Sequence, residues 1–220
     1  MENKIYPTIK NSILLCLLFV GIQLGLGLIV GIIQVALGLA DESLLICILT
    51  TLAFLIPFGI VLLIGLKKAK RKINEIFKFN KVSTFLWLAI IIFMIGFVIV
   101  TSEADNFLNY ILPMPEFFRG IFDSLMTKQP FVFALIIVGI IPAIMEELLF
   151  RGLILDGLDR NYPKRKAIVI SAVLFGIIHL NPWQFYSGFI IGLISAWICI
   201  ETKSIVLCMY IHFLTMYCIQ

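Results

Sequence analysis

Charge is scarce in this chain. Only 14% of its 220 residues are Asp, Glu, Lys or Arg, against roughly a quarter in a soluble domain. No internal repeat and no low-complexity tract interrupts it. The five cysteines, Cys16, Cys47, Cys199, Cys208 and Cys218, are odd in number and lack CxxC spacing. All lie in or at the ends of apolar runs, where they read as small buried hydrophobes rather than a disulfide or metal framework. Histidine occurs twice, at 179 and 212, and a His-Glu-x-x-His helix, the stronger zinc signature, is missing. The formal charge of +4 does not point to nucleic acid, because the positive residues sit in short loops between apolar runs.

What is abundant is apolar length. Hydrophobic residues make up 61% and the mean hydropathy is +1.10. These values predict an integral membrane protein, an all-α polytopic bundle. A helix needs about 20 apolar residues to cross a bilayer, and about seven transmembrane helices are expected, near 12–39, 43–66, 83–101, 130–150, 165–181, 183–200 and 203–219. The first run is too long for a signal-peptide core and lacks a clear cleavage site, so it reads as a retained span. Its Gly21-x-x-x-Gly25 and Gly27-x-x-x-Gly31 spacings permit close helix packing. Segments 67–81 and 160–166 are basic, whereas Asp41-Glu42 and 102–128 lean acidic. The positive-inside rule then places the N-terminus, 67–81 and 160–166 in the cytoplasm of a cell-membrane protein. Residues 102–129 form the longest external connection, with Pro113, Pro115 and several aromatics suited to an interfacial piece or a re-entrant cover.

Two adjacent acids end an apolar run in Ile141-Pro142-Ala143-Ile144-Met145-Glu146-Glu147-Leu148-Leu149-Phe150-Arg151. Ionisable groups at membrane depth cost about 2.5 kcal/mol or more each on insertion scales, so they are normally functional and partnered. Residues four apart share a helix face and neighbours diverge by about 100°. Glu147 and Arg151 are therefore natural partners. Glu146 faces Pro142 and Phe150, and as the more desolvated carboxylate it is the expected general base. Pro142 is expected to kink the helix beside the acids. A bland alternative is a salt-bridged helix end at the membrane surface.

Depth links the acids to the histidines. If the fourth helix runs to about residue 160 and the fifth starts near Lys164, Glu146 and His179 each lie roughly 21–22 Å from that end. His212 lies roughly 14–18 Å deep in the last span. The spacing permits the three to meet.

Glu146-Glu147-x-x-x-Arg151, then Phe175-x-x-x-His179, then a histidine in the last span, resemble the CAAX-protease and bacteriocin-processing (CPBP, or Abi) family of intramembrane proteases. The string Phe175-Gly-Ile-Ile-His179-Leu-Asn-Pro-Trp-Gln-Phe185 is similar to that family's second motif. On this resemblance, 1–129 is a variable N-terminal membrane region and 130–220 the protease core of one bundle. The implied activity is hydrolysis of a peptide bond in a membrane-embedded or lipid-anchored substrate, of CAAX or leader type. Glu146 would activate water, His179 would orient it, His212 would stabilise the oxyanion, and Arg151 with Glu147 would organise the site. Phe175 and Asn181 would contact substrate. If the enzyme uses zinc or another divalent metal, Glu146, His179 and His212 are the expected ligands; a metal-free, glutamate-driven mechanism is preferred. The family often carries Asn four residues after the last histidine, where this chain has Met216; Tyr217 or Asn181 could stand in. A non-proteolytic scaffold or bacteriocin-immunity protein of the same fold is the alternative, and a transporter or proton relay is a third reading.

Overall fold

The computed structural model describes residues 4–40, 43–116, 118–120 and 131–218, with the side chains of Phe133, Tyr217 and Cys218 outside that description. Helix α1 (Ile9–Leu37) starts where the Thr8 hydroxyl accepts the Asn11 amide and stops at Gly38, whose φ of 60° turns the chain into the left-handed region. Helix α2 (Leu44–Ala69) is capped by Ser43, and the one-turn α3 (Ile73–Ile76) follows. Helix α4 (Thr84–Ile111) is capped by Ser83. It runs ten residues past the expected span end, because loss of hydrophobicity ends a membrane crossing without ending a helix. Glu103 and Asp105 therefore lie on α4 and not in a loop. The remainder of the expected 102–129 connection lies partly outside the described residues.

The run 131–161, here α5, is one helix with two wide stretches. Leu135–Ile140 and Leu148–Ile154 are π-helical and flank the α-helical Ile141–Glu147. The amides of Ile141 and Leu155 bond five residues back, to Ile136 and Phe150. The first stretch precedes Pro142, whose ring would crowd the carbonyl four residues back in a regular helix. The expected departure from regular helix beside the acids thus takes the form of a widened turn. From Leu149 to Leu158 every residue of α5 is buried, as befits the central helix of a bundle.

Helix α6 (Lys164–Ile177) leads into α7 (Pro182–Thr202) and α8 (Ile205–Cys218). By length and apolarity, α1, α2, α4 and α7 can each cross a membrane. Helix α6 rises only roughly 21 Å and ends at membrane depth. The reason is local: Pro182 disfavours helical geometry at Asn181, and Leu180 takes a left-handed φ of 57°. Non-helical backbone at this depth is tolerated where protein satisfies it. Here the Leu180 amide bonds the Ile177 carbonyl at 3.1 Å, and the Asn181 amide group donates to the His179 carbonyl at 2.9 Å.

Helices α6 and α7 pack closely because small residues face each other. A Cβ on Gly192 would lie 3.0 Å from the Ala172 Cα, and one on Gly176 would lie 3.0 Å from the Phe185 carbonyl oxygen. The basic connection after α2 is not simply solvated. Its Ile76 and Phe77 are buried, with the Phe77 ring on Gly152 of α5. Lys78 accepts the Ile205 amide through its carbonyl, and Phe79 bridges to Ser204.

Candidate functional site

The α-helical middle of α5 carries Glu146 and Glu147, and the second wide stretch carries Arg151, into the middle of the bundle, where they are 5%, 0% and 2% exposed. Arg151 Nε lies 3.0 Å from Glu147 Oε2. The N–H is not aimed along that line, so this is a charge contact rather than a linear hydrogen bond. The expected pairing of Glu147 with Arg151 is present in the geometry. Arg151 also lies over the Phe175 ring, 4.4 Å from its centroid, a cation–π contact strengthened by the lack of competing water.

His212 enters from α8 and is fully buried. Its Nδ1 is 3.0 Å from Glu147 Oε1. A carboxylate can only accept, so Nδ1 carries the proton and donates. Its Nε2 faces Glu146 Oε2 at 3.8 Å. Both of those atoms are buried and neither makes a hydrogen bond. Glu147 therefore holds Arg151 and His212 together, and His212 stands between the two acids. The sequence pointed to the Arg151 contact; the His212 contact crosses 65 positions and has no local signal.

His179 sits at the break after α6. Its Nδ1 is 2.9 Å from the Phe175 carbonyl, which again fixes Nδ1 as the donor and leaves Nε2 with its lone pair in the neutral ring. The ring lies against Gly188 of α7, where a Cβ would be 3.6 Å away. Among the described residues no ion pair or hydrogen bond joins His179 to Glu146, Glu147 or His212. It reaches the cluster through Phe175, whose ring makes edge contacts with His179 at 5.4 Å and His212 at 5.6 Å. Phe150 closes the other side at 5.0 Å.

Phe175 is 1% exposed, so it is a hub that orders four side chains rather than the wall of an open groove. Asn181 caps α7: its Oδ1 accepts the Gln184 amide, and its two amide hydrogens go to the His179 carbonyl and Gln184 Oε1. With both hydrogens engaged, its amide holds the break in shape rather than standing in for an asparagine at 216. Met216 lies one turn after His212 on α8, and Tyr217 lies outside the described side chains. Beyond these, Trp183 Nε1 donates to the Leu112 carbonyl at 2.9 Å, and its ring meets Phe118 at 5.7 Å. That contact ties the end of α4 and the following segment to the start of α7.

The donor set was tested against a metal. Among the described residues no three His, Cys, Asp or Glu side chains gather to hold an ion. Glu147 Oε1 and His212 Nδ1 are engaged with each other, and His179 turns Nδ1 to its own helix. The side-chain arrangement does not fit the set Glu146, His179 and His212.

Residues 128–218 match the model of the Rce1-like family, type II CAAX prenyl endopeptidases, in line with the motif resemblance. That segment contains α5 to α8 and every side chain of the cluster. Comparison with curated proteins and with solved structures returned no match.

Proposed function

We propose that this integral membrane protein, with a C-terminal region of the CAAX prenyl endopeptidase type, cleaves a peptide bond of a membrane-associated substrate by glutamate-activated water. The observation that carries the reading is the pair of buried, unbonded atoms Glu146 Oε2 and His212 Nε2, 3.8 Å apart beside an ordered ion cluster. Unpaired buried polar atoms are costly, and a site that keeps two of them facing each other is prepared for a polar reactant.

Glu146 takes a proton from water as the water oxygen attacks the scissile carbonyl carbon. The carbonyl π electrons move to oxygen. His212, protonated, donates from Nε2 to that oxyanion, while Glu147 on Nδ1 holds the ring and balances its charge. Collapse breaks the C–N bond, and the leaving amine recovers the proton held by Glu146. His179, with Nε2 free to accept, orients the attacking water. Arg151, held over the Phe175 ring, keeps Glu147 in place. The mechanism is written without a metal, a reading supported by the absence of a three-ligand His, Cys, Asp or Glu group among the described residues. The basic end of the bundle, with 67–72 and 164–166, lies in the cytoplasm and the membrane is the plasma membrane.

Glu146→Gln and His179→Ala, each reconstituted in vesicles, should cost at least about 10²-fold in cleavage of a lipid-anchored reporter peptide. Chelator treatment followed by metal analysis should leave wild-type turnover intact. Wild-type activity in both variants would sink the enzymatic reading. Met216, at a position where the family often has asparagine, favours a second reading, a scaffold or immunity protein of the same fold. Reporter cleavage by the wild type excludes that.

A further inference from the structure

At the basic end of the bundle, the start of α1 and the end of α5 enclose a groove of about 500 Å³. Its upper wall is cationic, with Lys4 and Lys10 lining it beside Tyr162. Its floor is apolar: Ile13 and Leu14 are 43% and 52% exposed and continue into the outward face of α1. Among the described residues no acidic side chain lines it.

The Tyr162 ring carries two like charges. Lys4 Nζ lies 5.5 Å and Lys166 Nζ 5.4 Å from its centroid. Neither lysine, nor Lys10, forms a salt bridge with an acid among the described residues. Two ammonium groups held at one ring raise the local positive potential, which favours an anion beside them. The Tyr162 hydroxyl accepts the Ile9 amide at 3.4 Å and keeps its own proton to donate. The groove is thus cationic and hydrogen-bond donating at its head and apolar below.

We infer that this groove binds one anionic phospholipid, with the phosphate among Lys4, Lys10, Lys166 and the Tyr162 hydroxyl and the acyl chains along Ile13 and Leu14. A soluble anion would match the head but leave the apolar floor uncovered. The lipid also fits the depth of the groove, where lysines at a helix start meet the headgroup layer. It would clamp the N-terminal segment, which already pairs with Asn161 through the Ile5 amide at 2.9 Å, onto the helix that carries Glu146.

The full-length protein in detergent micelles doped with phosphatidylglycerol or phosphatidylcholine is the test, read by native mass spectrometry and by thermal shift. The wild type should retain one phosphatidylglycerol in preference to phosphatidylcholine and melt higher with it. The triple variant Lys4→Gln, Lys10→Gln, Lys166→Gln should weaken that binding by about 10²-fold, at the scale of one interfacial charge per lysine. The control triple Lys67→Gln, Lys68→Gln, Lys72→Gln should keep it. Equal retention by the first triple, loss in the control instead, equal binding of both lipids, or the same shift from glycerol phosphate alone would each overturn the assignment.

Discussion

At the residue scale the site is organised around who holds each proton. Glu147 accepts from His212 Nδ1 and contacts Arg151, so one buried acid holds two side chains. Among the described residues Glu146 has no such pair of partners: its Oε2 faces only His212 Nε2, at 3.8 Å. The asymmetry between neighbours was readable from spacing alone, since Arg151 lies four positions from Glu147 and five from Glu146. What spacing could not show was His212 beside both, because a contact across so many positions depends on how α8 packs and not on any local pattern. Met216 lies one turn beyond His212, and α8 offers no amide there. Met216→Asn should raise cleavage several-fold if the oxyanion lacks a second donor, at the scale of one added hydrogen bond of about 1 kcal/mol. Steady-state turnover of the reporter in vesicles decides it; an unchanged rate would show that His212 suffices.

At the element scale the sequence was most informative where composition alone decides, as in α1, α2 and α7. It was least so where a helix departs from its regular form. The π stretches of α5 have no periodic signature, and Pro142 pointed to an irregularity without showing that it is a widened turn. The end of α6 was marked by Asn181-Pro182, yet the run expected at 165–181 contains only a short helix followed by the bent segment that presents His179. The close seam between α6 and α7 depends on Gly192, whose missing side chain admits the Ala172 backbone at 3.0 Å. Gly192→Val should force the two helices apart. Overpacking of this kind costs about 1–3 kcal/mol, and a melting scan in detergent should show the lowered midpoint. Gly96, with nothing near its Cβ position, is the control, and Gly96→Ala should keep or slightly raise the midpoint.

At the scale of the whole molecule, the two ends of the bundle are built differently. The basic end is tied by Asp156, which is buried and contacts Arg71, Lys78 and Arg160. Loop charge read from the sequence identified the cations of this end but not the single acid that gathers them, because Asp156 lies 85 and 78 positions from Arg71 and Lys78 and no local pattern links them. Removing it leaves three cations without their common partner. Asp156→Ala should destabilise the protein by about 1–3 kcal/mol, less than a fully buried pair because Lys78 and Arg160 are about one-third exposed. Chemical denaturation in micelles measures the loss, and high salt should diminish it. The opposite end is held by Trp183 on the Leu112 carbonyl, a neutral contact with little salt response.

Leu180 gives the bent segment a second consequence, for how the protein can evolve. A leucine at φ 57° carries about 1–2 kcal/mol of backbone strain that glycine would avoid. Glycine would also add freedom to the unfolded chain, of about the same size and opposite effect. Leu180→Gly should therefore leave the melting temperature almost unmoved while widening the range of His179 orientations and slowing cleavage. A survey for stabilised variants would pass over such a change, and only a selection on turnover would see it. Leucine at this position therefore costs no net stability relative to glycine, and what it contributes is a narrower range of His179 orientations.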